Sequence, residues 1–100
     1  MYRYKKNESS FKKIEIMKLF LIGTGLIGGS MSKDLRNLLG KIQIHGIDKN
    51  ELSVKRAKNI GVIDTIDNIE NLNIADRVIL SVPVSESLKI LPFILDNLNK

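Results

Sequence analysis

The sequence predicts an α/β fold in which a doubly wound parallel sheet is built from strands that alternate with crossover helices. Three observations predict it. Two short apolar runs, "MKLFLIG" from Met17 and "RVILSVPV" from Arg77, read as strands covered on both faces. The segments between strands carry apolar residues at helical spacing. The chain has 100 residues, 43% hydrophobic and 27% charged, which is the composition of one globular domain and leaves no room for two.

Residues 1–16 carry little periodicity and a net charge of +3 out of the total +5, and they read as a disordered basic leader. Met17 is a candidate translation start. The domain proper is expected over 17–100. Its first strand, Met17 to Ile22, ends in Gly23. From Leu26 the pattern turns helical: Ile27, Met31, Leu35, Leu38 and Leu39 share a face, and Gly40 follows where a left-handed cap is wanted. "KIQIHGID" (Lys41 to Asp48) is the second strand. Asn50 caps a second helix, Glu51 to Asn59, which Gly61 terminates. A short strand is expected near Asp64–Ile66, then a loop or single helical turn. Arg77 to Val84 forms a strand rich in β-branched residues. A last helix, Ser85 to Leu98, either kinks at Pro92 or restarts there.

Several functions are excluded or disfavoured. There is no cysteine, so neither a disulfide framework nor a thiolate metal site exists, and a lone histidine, His45, does not make a metal centre. The basic leader lacks an aromatic platform downstream, which argues against nucleic acid. The run Phe20 to Ser30 follows lysines, as a signal peptide would, but four glycines interrupt it and Asp34 and Arg36 follow at once. It is too short to span a bilayer, so no membrane is expected and the compartment is read as cytoplasmic.

The glycines have a better explanation. Gly23-Thr24-Gly25-Leu26-Ile27-Gly28 spells G-x-G-x-x-G between a strand and a helix, and Asp48 ends the next strand 20 residues after Gly28. Gly23 permits the tight turn. Gly25 clears the backbone for a pyrophosphate, and Gly28 lets the helix lie close on the sheet. The first-turn amides near Leu26 and Ile27 suit an anion. Asp48 would accept hydrogen bonds from both hydroxyls of an adenosine ribose and repel a 2′-phosphate, so NAD is favoured over NADP. Lys49 beside it partly offsets that repulsion. Ser81, Val82, Pro83 and Val84 end a strand at the carboxyl edge of the sheet, where open α/β folds bind ligands. The cofactor set is therefore Gly23, Thr24, Gly25, Leu26, Ile27, Gly28, Asp48, Lys49 and Ser81 to Val84. The fold becomes Rossmann-like, about four strands in the order 3-2-1-4. His45 reads as a packed or surface strand residue, and Asp64 and Asp67 as loop caps more than a carboxylate pair.

"LIGTGLIGGSMSKDLR", "IHGIDKN", "AKNIGVID" and "ADRVILSVPVSESLKIL" resemble the amino-terminal part of the prephenate dehydrogenase family, arogenate-using enzymes included. The double glycine and serine at Gly28, Gly29 and Ser30 and the "VPV" after an "AD" strand carry the resemblance. It implies an NAD-dependent oxidative decarboxylation in tyrosine biosynthesis. It also implies that the catalytic histidine, the substrate pocket and the dimerising helical domain belong to a region after the one resembled. No catalytic residue transfers, so prephenate or arogenate would be handled only by a full-length enzyme. The alternatives are a stand-alone NAD-binding regulatory module and an S-adenosylmethionine-dependent methyltransferase, the latter disfavoured by Gly28 and "SVPV". With strand order 3-2-1-4 the strand Arg77–Val82 ends the sheet, and a homodimer through that exposed edge is expected. The competing expectation has the last helix folding over the edge.

Overall fold

The computed structural model describes residues 16–25 and 29–98. The leader assigned to 1–16, apart from Ile16, lies outside them, as do Leu26, Ile27 and Gly28. The elements run β1 (Met17–Ile22), α1 (Gly29–Leu39), β2 (Ile42–Ile47), α2 (Glu51–Asn59), β3 (Thr65–Ile66), a 3-10 helix (Ile69–Ile74), β4 (Arg77–Leu80) and α3 (Val84–Leu98). The strands form one sheet in the order β3-β2-β1-β4, every pairing parallel. This is the expected doubly wound order, with β1 central.

Alternation along the central strand divides the core in two. Leu19 and Leu21 face one way and pack with Ile44, Val54, Ala57, Val62 and Ile63, so α2 and the inner side of α1 cover this face. Phe20 and Ile22 face the other way, onto Leu72 and Ile94, and bring the 3-10 helix and α3 down on the opposite face. The last four of the six β1 residues, Leu19 to Ile22, are at most 2% exposed, which is why that stretch carries no polar alternation.

Two aspartates pin the parallel register. Asp76 N–H donates to the Lys18 carbonyl at 2.8 Å, while Lys18 N–H donates to Asp76 Oδ2 at 2.7 Å, clasping the entry to β4 onto β1. Asp64 repeats the clasp at β3: its N–H donates to the Ile44 carbonyl at 2.8 Å and its Oδ2 accepts from Ile44 N–H at 2.8 Å. Arg36 of α1 adds a two-pronged contact to the Asp64 carboxylate, both bonds 3.1 Å. Parallel strands have no tight turn to set their register, so an aspartate whose carboxylate and backbone N–H together engage both backbone groups of one residue does that work. Asp64 is thus a structural clasp.

Three sequence expectations shift. Strand β4 stops at Leu80, four residues short of Val84. The last bond continuing the ladder runs from Ser81 N–H to the Ile22 carbonyl at 2.7 Å, and Pro83 has no N–H to offer. Helix α3 accordingly begins at Val84, and Ser85 sits inside its first turn; the helix passes Pro92 without a restart. On α1 the inner face is Ser32, Leu35 and Leu39, while Met31 and Leu38 are 43% and 81% exposed. Ser32 is inside because its hydroxyl donates to the Val62 carbonyl at 3.0 Å, a partner the hydrophobic spacing does not reveal. Helix α3 lies on the sheet face through Ile90 and Ile94.

Candidate functional site

The carboxyl ends of β1, β2 and β4 open onto one cavity of about 450 Å³. Gly23 and Gly25 form its floor from the turn after β1, Asp48, Lys49 and Asn50 one lip from the end of β2, and Ser81, Val82 and Pro83 the other from the end of β4. Its apolar wall is Ile22, Ile47, Val82 and Ile90, and Ser53 and Glu86 complete the rim. The volume falls within the roughly 300–1,000 Å³ of small-ligand sites.

Gly23 sits at φ +90°, the left-handed region that L side chains rarely adopt. A methyl group there would also overlap the carbonyl oxygen of Ser81 and lie 2.9 Å from its carbonyl carbon. The turn can therefore tuck under β4 only with glycine. At Gly25 the nearest atom to such a methyl would be Ser53 Oγ at 3.9 Å, so this backbone is bare toward the cavity, as close approach of a ligand phosphate requires.

The Asp48 carboxylate organises the site. Its Oδ2 accepts from the Thr24 N–H and the Thr24 hydroxyl, both at 2.9 Å, and its Oδ1 accepts from Asn50 N–H at 2.9 Å. Burial pushes its carboxyl up, but the backbone bonds from Thr24 and Asn50, with the Thr24 hydroxyl and Gly25 N–H, outweigh that and hold it below the ordinary 3.8. Asp48 is thus ionised at neutral pH, and Oδ1, which accepts from Asn50 N–H, retains the capacity to accept another hydrogen bond. Lys49 Nζ donates to Glu86 Oε1 at 2.6 Å, joining the β2 lip to the first turn of α3. The hydrogen bond to Glu86 and its charge raise the Lys49 ammonium, and the same contact lowers Glu86.

Of the residues singled out from sequence, Gly23, Gly25, Asp48, Lys49, Ser81, Val82 and Pro83 meet at this cavity. Thr24 is 4% exposed and reaches the site through its bonds to Asp48. Val84 is 76% exposed on α3, because the chain turns into the helix after Pro83. Leu26, Ile27 and Gly28 lie outside the described residues. Sequence reasoning missed Glu86, Ser53 and Ile90 and read Asn50 only as a helix cap. Asn50 does cap α2, accepting from Ser53 N–H at 3.1 Å. Glu86 was signalled only by its place just past a strand end.

His45 is elsewhere. It stacks on Phe20 with ring centroids 4.5 Å apart, and its Nδ1 lies 2.8 Å from Asp67 Oδ2 and its Nε2 3.1 Å from Gln43 Oε1. Asp67 also accepts from Asn68 N–H and Asn71 Nδ2, so it ties the entry of the 3-10 helix to β2. Among the described residues no group of three or more histidines and acids is placed to hold a metal, and no helix is long and apolar enough to cross a membrane.

A glycine turn leaving the central strand, an acid ending its neighbour and a cavity between them at the carboxyl edge define a nucleotide-binding unit of the doubly wound α/β class. Residues 31–100 match the family described as the nucleotide-binding domain of prephenate dehydrogenase, and the chain belongs to that family. The curated prephenate dehydrogenase of Lactococcus lactis subsp. cremoris is 33% identical over 75 residues, which cover 74% of this chain and 21% of that protein. Among solved structures, the Synechocystis arogenate dehydrogenase superposes with a TM-score of 0.68 at 26% identity, covering 81% of this chain and 29% of that one. A prephenate dehydrogenase from A. aeolicus, in complex with hydroxyphenyl propionate and NAD+, gives 0.67 at 32% identity, covering 82% of this chain and 30% of that one. The chain thus spans less than a third of the length of these relatives.

Proposed function

We propose that this chain is the NAD-binding part of a prephenate or arogenate dehydrogenase, an oxidoreductase of tyrosine biosynthesis that works in the cytoplasm. The single observation that carries the reading is the Asp48 carboxylate bonded to Thr24 and Asn50 at the rim of the cavity, with the bare Gly25 backbone beside it. The donor set fits a dinucleotide. Asp48 Oδ1 would accept a ribose hydroxyl, Gly23 and Gly25 would give the pyrophosphate room, and Ile47, Val82 and Ile90 would offer the adenine an apolar wall. Val84 starts the helix behind Pro83. Residues 17–100 form the dinucleotide-binding domain, and 1–16 a basic leader.

When bound, NAD supplies the hydride acceptor. The residues here bind and orient it. Prephenate or arogenate and the group that takes the hydroxyl proton are matters for the longer protein. Of the acids at this cavity, Asp48 is held by Thr24 and Asn50 and Glu86 is paired with Lys49, while His45 packs against Phe20 away from it.

Titration with NAD+ followed by amide resonances tests the assignment. Saturable shifts at Gly23, Thr24, Gly25 and Asn50 are expected, with affinity nearer millimolar than micromolar, about −4 to −6 kcal/mol, because one half of the site is engaged. Shifts confined to the basic leader would mean nonspecific anion binding. Self-association through β4 is also proposed. That strand ends the sheet among the described strands, and its unpaired edge can take a second copy. Sedimentation showing a monomer at every concentration refutes it.

A further inference from the structure

We propose that Glu86 acts as a selectivity residue, holding Lys49 across the mouth of the cavity so that Lys49 is withheld from a 2′-phosphate on the adenosine ribose. This rests on the reading of the cavity as a NAD site. Three charged side chains line the cavity: Asp48, Lys49 and Glu86. Asp48 is tied down by Thr24 and Asn50 and cannot swing away. Lys49 follows it in the chain, its side chain is 82% exposed, and among the described residues its ammonium is hydrogen-bonded to Glu86. Glu86 stands on the opposite lip, in the first turn of α3, where a negative charge is favoured by the exposed helix amides.

The consequence is electrostatic. With the pair intact, Lys49 is neutralised by Glu86 and the mouth carries the uncompensated charge of Asp48. A 2′-phosphate placed at the Asp48 end meets that charge, and the one cation among the described residues lining this cavity, Lys49, is held by Glu86. Release of Lys49 from Glu86 supplies the cation without altering Asp48. Lys49 taken alone therefore misleads: its position beside Asp48 suggests tolerance of NADP, while its partner on the far lip removes it from that role.

The test is binding of NAD+ and NADP+ to the full chain by calorimetry or amide shifts at low salt, where such charges are least screened. Glu86→Gln should lower the ratio of the NADP+ to the NAD+ dissociation constant about three- to tenfold, the range an exposed charge contact commands. Glu86→Ala should do the same, and Lys49→Met should raise the ratio. Glu86→Gln combined with Lys49→Met should lose the gain. An unchanged ratio in Glu86→Gln and Glu86→Ala, with normal denaturation midpoints, overturns the proposal. So does a gain that survives in the double variant, which would mean that Glu86 acts by its own field. If neither dinucleotide saturates the wild-type chain, the NAD reading itself falls, and the selectivity role with it.

Discussion

Replacing Gly23 by alanine separates two reasons for a glycine. The residue sits at φ +90°, so any side chain incurs the left-handed penalty, about 1–2 kcal/mol. The added methyl also overlaps the Ser81 carbonyl oxygen, a backbone atom fixed by the bond from Ser81 N–H to the Ile22 carbonyl at 2.7 Å. Since neither β1 nor β4 can yield without losing that bond, overpacking adds about 1–3 kcal/mol. The total is about 2–5 kcal/mol, a large share of the roughly 5–15 kcal/mol typical of a domain. Gly40 is the internal control: its φ is +77°, yet a methyl there would find no atom within 4 Å. Gly40→Ala should lose only the conformational part, about 1–2 kcal/mol. Urea denaturation of the wild type and both variants gives the comparison directly. Equal losses at Gly23 and Gly40 would refute the claim that the turn is wedged beneath β4.

Other outcomes follow from the same geometry. Asp76→Ala removes the bond to Lys18 N–H and should cost about 0.5–1.5 kcal/mol, with loss of hydrogen-exchange protection in β4 before β2; uniform loss across the sheet would argue against a local clasp. Asp48→Asn should weaken NAD+ more than NADP+, since only the unphosphorylated diol uses the carboxylate fully; dissociation constants that rise equally would place the ribose elsewhere. At Asp67, burial pushes the carboxyl up, but Asn71, Asn68 and His45 together hold it below 3.8. Its contribution to stability is therefore complete above about pH 3.8 and is lost as pH falls through the lower folded value. Asp67→Asn should flatten the acid limb of a pH–stability curve, and an unchanged limb would refute its role.

Much of the architecture was legible because local signals agreed. Met17 to Ile22 is apolar on both faces, and both faces are covered. Asn50 and Gly61 bracket α2 as caps should. The order 3-2-1-4 came with the glycine motif, because the dinucleotide-binding fold it marks returns its fourth strand to the side of the first. What failed did so for tertiary reasons. Met31 and Leu38 match a helical stripe, but the sheet accepts Ser32 and Leu35, because the Val62 carbonyl needs a donor. The end of β4 depends on where its neighbour β1 stops, which one strand's composition cannot report. At the site, the glycines and Asp48 were readable as a spaced motif. Glu86 was not, since its meaning lies in a contact with Lys49 across 37 positions of sequence.

The bonds of Asp48 to Thr24 and Asn50 have a consequence for how such a site changes over generations. On the proposed reading, one carboxylate both recognises and braces. A substitution that altered which dinucleotide is preferred would also release the Thr24 hydroxyl, which is buried, and unfasten the glycine turn from the neighbouring strand. Drift in specificity by that route passes through a fragile intermediate. Change at an exposed rim residue carries no such penalty, so lineages that switch cofactor should be found to alter the rim first and the brace last.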